Sequence, residues 1–196
     1  MKDYLQLDGM CYKLVPIKTK IDPQNPYEMG RIDSEKMIDI VKKWSWGNPH
    51  EKNIYLDEES RKNSITYRGN ISRLIKKLII EDKKEKALEL LDLTMKKMPI
   101  EEYGYYTLLE PFIDSYYLLE KNKKARKIFA LISSKYQEKL FYFSGLSENN
   151  KILYSELIYT DIERYRSLVE TILPHESKEY YDDVLNEFNS YLDLFL

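Results

Sequence analysis

Lys84-Glu85-Lys86-Ala87-Leu88-Glu89-Leu90-Leu91 returns 38 residues further on as Asn122-Lys123-Lys124-Ala125-Arg126-Lys127-Ile128-Phe129. In each copy a small residue, Ala87 or Ala125, is followed four positions later by a large apolar one, Leu91 or Phe129. Positions four apart share one face of a helix. The alanine lets a second helix approach closely, and the larger side chain fills the groove between neighbouring pairs. At the same spacing Leu74 matches Phe112, Ile75 matches Ile113 and Leu78 matches Tyr116, so the preceding helix recurs too.

This spacing is close to the tetratricopeptide period of about 34 residues. Pro99 stands where such repeats often end their second helix. Two features depart from the pattern. Ile75 and Ile113 occupy a place usually given to Gly or Ala, and Gln137 replaces the expected proline in the second unit. The last helix pair lacks the alanine signature, as a terminal capping pair would. The expected fold is mainly α: tetratricopeptide-like antiparallel helix pairs in an α-α superhelix, with a short extended or β-containing N-terminal segment. A generic helical bundle with chance similarity is the alternative.

Outward from the repeat, apolar spacing predicts helices from Ser60 to about Glu81, Lys84 to Met98, Tyr103 to Glu120, Lys123 to Tyr142, Asn150 to Ile172, and from Ser177 onward. Ser60 is the expected cap of the first, with Asp57, Glu58 and Glu59 complementing its dipole. Pro111 falls inside the third or near its start. The fifth is expected to bury Leu153, Leu157, Tyr165, Leu168 and Ile172. The sixth shows Tyr181, Val184, Leu185, Phe188, Leu192 and Phe195.

An earlier helix starts at Asp33 and carries Met37, Ile38, Val41 and Trp44 on one face, stopping at Ser45-Trp46-Gly47-Asn48-Pro49. Before it, Asp8-Gly9 between two β-prone runs is a hairpin signal, with a helix turning into a strand at Gly9 as its rival. Pro16, Pro23 and Pro26 make Lys18 to Gly30 extended and irregular. Two regions follow: 1–59, an extended segment plus one helix, and 60–196, the helical-repeat domain.

A net charge of −2 provides no global field for nucleic acid or an anionic membrane. Lysine and arginine nevertheless crowd Arg73 to Lys127, either as a solvated helix surface or as a basic side near lipid headgroups. Cys11 is the only cysteine, so no intramolecular disulfide can form. No run approaches the roughly 20 apolar residues of a membrane span. The patterned segment begins almost at Met1, which raises the expectation of a piece of a longer polypeptide.

No HExxH, paired CxxC, GxSxG or phosphate-binding glycine loop occurs. No catalytic residue, metal site or cofactor is therefore expected of the chain itself. His50 and His175 each stand beside a proline and read as surface loop residues. Tyr103, Tyr105, Tyr106, Tyr116 and Tyr117 concentrate around the third helix of the repeat region. They serve either as core and seam residues or as a recognition surface for peptide or sugar. If the first helix of each pair lines an inner groove, the register places Lys76, Glu110, Asp114 and Tyr117 toward it.

The opening Tyr4-Leu5-Gln6-Leu7-Asp8-Gly9-Met10-Cys11-Tyr12-Lys13-Leu14-Val15-Pro16-Ile17 resembles a block of one bacterial family. Trp46-Gly47-Asn48, Tyr55-Leu56-Asp57-Glu58, Arg68, Arg73-Leu74 and the run from Lys86-Ala87 to Pro99 add to the likeness. These are large multi-pass membrane proteins, a former domain of unknown function, similar to the transmembrane protein O-mannosyltransferases with tetratricopeptide tails. The resemblance spans essentially the whole chain in collinear order.

It implies the C-terminal soluble part of a polytopic glycosyltransferase-like protein, without the membrane region that would carry sugar transfer. No catalytic residue carries over. Residues 1–59 would then be the junction to that region, with exposed apolar surface near Leu5, Leu14 and Val15. The parent would lie in the bacterial inner membrane with this domain on the periplasmic face. Its partners would be its own membrane region and a protein or peptide acceptor. The alternative is a stand-alone, cytoplasmic helical-repeat scaffold for a protein or peptide.

Overall fold

The computed structural model describes residues 1–20, 29–46 and 54–195. They form two compact units, Met1–Leu108 and Leu109–Leu196. The chain is mainly helical, with a small three-stranded sheet near its N-terminus. Pro23, Pro26, the Gly47-Asn48-Pro49 stop and His50 lie outside the described residues.

The first unit opens with β1 (Leu5–Asp8) and β2 (Cys11–Leu14), paired antiparallel with Leu5 opposite Leu14. The Asp8-Gly9 signal is thus a hairpin. Gly9 takes φ +68, and a side chain there would meet Ile40 Cγ2 at 2.8 Å and the Trp44 ring at 3.3 Å. Both the backbone conformation and the close approach demand glycine. A two-residue strand not expected from the sequence, β3 (Arg31–Ile32), pairs parallel with β1 to give the order β2-β1-β3. Leu7 is fully buried, whereas all four residues of β2 are exposed.

Helix α1 (Ser34–Val41) is capped by Asp33, whose side chain accepts from Lys36 N. It ends at Val41, so Trp44 lies beyond the helix, in a turn closed by its N–H on Val41 O. Helix α2 (Glu58–Ile80) is capped by Asp57, not Ser60: the carboxylate accepts from Ser60 N at 2.8 Å. A carboxylate both accepts that bond and answers the helix dipole. A division at Glu59/Ser60 therefore falls inside the first turn of α2. Helix α3 (Lys84–Lys97) packs back on α2, and the one-turn α4 (Ile100–Tyr103) follows Pro99.

The expected helix from Tyr103 to Glu120 is broken. Gly104 at φ +62 and Tyr105 at φ +46 end α4, and a 3-10 turn covers Tyr106–Leu108. In the second unit α5 (Glu110–Leu118) then starts with Pro111 in its first turn, where a missing N–H costs nothing. Helix α6 (Asn122–Ser144) pairs with α5.

The expected helix from Asn150 also divides, at Tyr154, into α7 (Glu148–Leu153) and α8 (Ser155–Ile172). Leu153 is 73% exposed and Leu157 is 45% exposed, against expectation. The stripe that α8 buries runs through Ile158, Ile162, Tyr165, Leu168, Val169 and Ile172, one position out of register with Leu157. Helix α9 (Lys178–Leu192), capped by Ser177, returns along α8 and buries Val184 and Phe188.

Ala87 and Ala125 are both fully buried. The repeat extends to the turns. After α2, Asp82 sits at φ +56, with Asp82 N donating to Ile79 O and Lys83 N to Leu78 O. After α5, Glu120 sits at φ +59, with Glu120 N donating to Tyr117 O and Lys121 N to Tyr116 O. These are Schellman turns built on matching atoms 38 residues apart. Lys83 O and Lys121 O then accept from Ala87 N and Ala125 N.

Candidate functional site

In the second unit, α5 carries Glu110, Asp114 and Tyr117 along one face at intervals of four and three residues. All three are met by α8 or by the turn that follows it. Ser167 Oγ donates to Glu110 Oε2 at 3.0 Å. His175 Nε2 lies 2.7 Å from Asp114 Oδ1, and its ring stacks on Tyr117 at 4.7 Å. Tyr117 Oη donates to Glu176 Oε1 at 2.6 Å.

From α6, Arg126 donates to both Glu176 oxygens, Nε at 2.7 Å and Nη2 at 2.6 Å, while its guanidinium covers the Tyr180 ring. These bonds hold the Glu176 carboxyl below its ordinary range. Burial pushes Tyr117 up, and it also raises Glu110. The face expected to line a groove is here closed by the chain itself, with a bidentate ion pair as clasp. His175 belongs to this seam and is only 15% exposed, not the loop surface residue expected. Its partner is 61 residues away, so no local signal announces it.

Lys76, the remaining expected groove residue, lies in the first unit, exposed on α2 beside Arg73 and Lys77. Of the clustered tyrosines, Tyr103, Tyr116 and Tyr117 are buried, Tyr116 within the core at 2% exposure.

The first unit presents an open pocket of about 260 Å³, walled by Trp46, Leu56, Tyr67, Met98 and Tyr103. Trp44 fixes two of its rings edge-on, Trp46 at 5.5 Å and Tyr67 at 4.9 Å. Ser64 is in the wall at 1% exposure, and its Oγ has no hydrogen-bond partner among the described residues. That oxygen is sealed from solvent, so it offers a ligand in the pocket no bond. One turn further along α2, Arg68 is fully buried and braces the pocket from behind. Its Nη2 donates to Met98 O at 2.9 Å and its Nη1 to Gly104 O. Burial brings its pKa down to about 10, so it remains charged at neutral pH.

The pocket can seat one apolar or aromatic side chain. The sequence points to Tyr103 but not to Ser64 and Tyr67, whose shared helix face meets Trp46 only in the fold. Among the described residues no three His, Cys, Asp or Glu gather to hold a metal, and no helix is long and apolar enough to cross a membrane. Against protein-family models, curated proteins and solved structures, the chain has no match.

Proposed function

We propose that the chain is a non-catalytic binding module of helix pairs that holds a protein or peptide acceptor. In the fuller form of this reading it is the accessory domain of a polytopic membrane glycosyltransferase-like protein, on the periplasmic face of a bacterial inner membrane. The observation that carries the binding role is the aromatic pocket on α2, walled by Trp46, Tyr67 and Tyr103. Its volume suits one side chain of an extended segment, and three aromatic rings supply contact area at low entropic cost.

The membrane part of the reading rests on the resemblance of Tyr4–Ile17. Of Leu5, Leu14 and Val15, only Leu14 is exposed, at 59%, and the support comes from it together with Tyr12 at 40% and Ile17 at 48%. Such a surface suits contact with a further region of the same polypeptide.

Peptide-library selection on the full chain tests the pocket. Selected peptides should share one apolar residue and shift the resonances of Trp46, Tyr67 and Tyr103. Tyr67→Ala should then weaken them by about tenfold or more, the loss of one aromatic contact. Peptides that bind without touching those resonances would sink the pocket assignment. The membrane part is tested separately by the coding sequence upstream of Met1. Several in-frame hydrophobic spans support it, and their absence leaves the stand-alone scaffold.

A further inference from the structure

A second concavity in the first unit, about 430 Å³, is lined by positive charge. Helix α2 contributes Arg73, Lys76 and Lys77, and β3 contributes Arg31, with Gly30 in the wall. Arg73 is fixed in place. Its Nη1 donates to Tyr12 Oη at 2.8 Å, and its Nη2 donates to Met29 O at 2.8 Å and Gly30 O at 3.1 Å. All three acceptors are neutral, so they hold the guanidinium without cancelling its charge.

Arg31 and Lys76 pair with no carboxylate among the described residues. Lys77 does pair, with Glu81 at 3.2 Å, and Glu81 is shared with Lys83 at 2.7 Å. Among the described residues, three cations therefore meet no carboxylate around one cleft, in a chain whose net charge is −2. The second repeat shows that this charge is not a property of the repeat. The residue matching Lys76 is Asp114, and the one matching Arg73 is Pro111.

We propose that this cleft binds a phosphate group, carried either by a free phosphorylated small molecule or by a lipid headgroup. A rigid guanidinium flanked by an ammonium and a second guanidinium matches the several acceptor oxygens and multiple charge of a phosphate monoester. The cleft volume admits the phosphate together with part of its carrier. Nothing in this assignment depends on the aromatic pocket or its ligand.

The test has two arms on the full chain. In the first, inorganic phosphate is titrated against sodium chloride at matched ionic strength while amide resonances are followed. Gly30, Arg31, Lys76 and Lys77 should shift saturably with phosphate alone. In the second, the chain is sedimented with phosphatidylcholine vesicles with and without phosphatidic acid. Sedimentation that requires phosphatidic acid assigns the headgroup source, whereas saturable shifts without sedimentation assign the free one.

The double variant Arg31→Gln/Lys76→Gln should weaken the response about tenfold or more, the loss of two charge-assisted contacts. Lys123→Gln/Lys178→Gln, the same loss of two charges on the second unit, should leave it unchanged. Should the double variant lose the hydrogen-exchange protection of α2, Lys76→Gln alone replaces it, because that side chain is exposed and unpaired. Neither response in wild type, or a response that the folded variant retains, overturns the proposal.

Discussion

The two helix pairs α2–α3 and α5–α6 share their turns almost atom for atom and share almost nothing of their polar surface. Leu74, Ile75 and Ala87 in one, and Phe112, Ile113 and Ala125 in the other, are all fully buried. Lys76 has no ion-pair partner among the described residues, while its counterpart Asp114 is bound to His175. Leu88 occupies the place of Arg126, so the first pair has no counterpart of the Glu176 clasp. A repeat preserves what the hairpin needs to close, the small residue and the turn. It leaves the exposed positions free to acquire separate tasks.

The largest effect expected on this comparison comes from the alanines. Ala87→Leu and Ala125→Leu should each cost about 2–3 kcal/mol, because a filled helix contact cannot take three more carbons without strain. Urea unfolding of the full chain measures this. If either position accepted leucine without loss, the two contacts would not be equivalent.

Next comes the clasp that only the second unit has. Arg126→Gln should cost about 2 kcal/mol at neutral pH, the loss of charge-assisted bonds to a buried carboxylate. Because Glu176 titrates below its ordinary value in the folded chain, its contribution is complete above the ordinary carboxylate range. It is lost as pH falls through the depressed value. The gap between wild type and variant should therefore close in acid, and a gap independent of pH would point to packing instead of charge.

The smallest effect tests the turns. Glu120→Gly should stabilise by about 1 kcal/mol, since only glycine occupies the left-handed region without penalty. Asp82→Gly should gain less, because aspartate tolerates that region better. Thermal melts of both variants would rank them, and a loss at either turn would contradict the Schellman geometry.

What the sequence disclosed was local. Ala87 and Ala125, the Asp8-Gly9 turn, and the cap at Asp33 each depend on neighbours within a few residues, so spacing and residue type sufficed. The α2 cap was missed by three residues because Asp57 and Ser60 are both good caps, and the choice belongs to the carboxylate's hydrogen bond. Strand β3 escaped because two residues carry no period, and its pairing with Gln6 and Leu7 is set by packing. The break after Tyr103 went unread since Tyr105 adopts a conformation tyrosine rarely takes. Of the candidate site, Glu110, Asp114 and Tyr117 do share a face, but their partners Ser167, His175 and Glu176 come from more than fifty residues away. No pattern within a single helix encodes that meeting.

The turn at Gly9 has a consequence for how this molecule tolerates change. Its missing side chain is also the notch into which Ile40 and Trp44 fit, so hairpin shape and docking are decided at one atom. Substitution there would strain the left-handed turn and also force the Ile40 side chain to give way. A single methyl group there taxes the turn and the helix contact together.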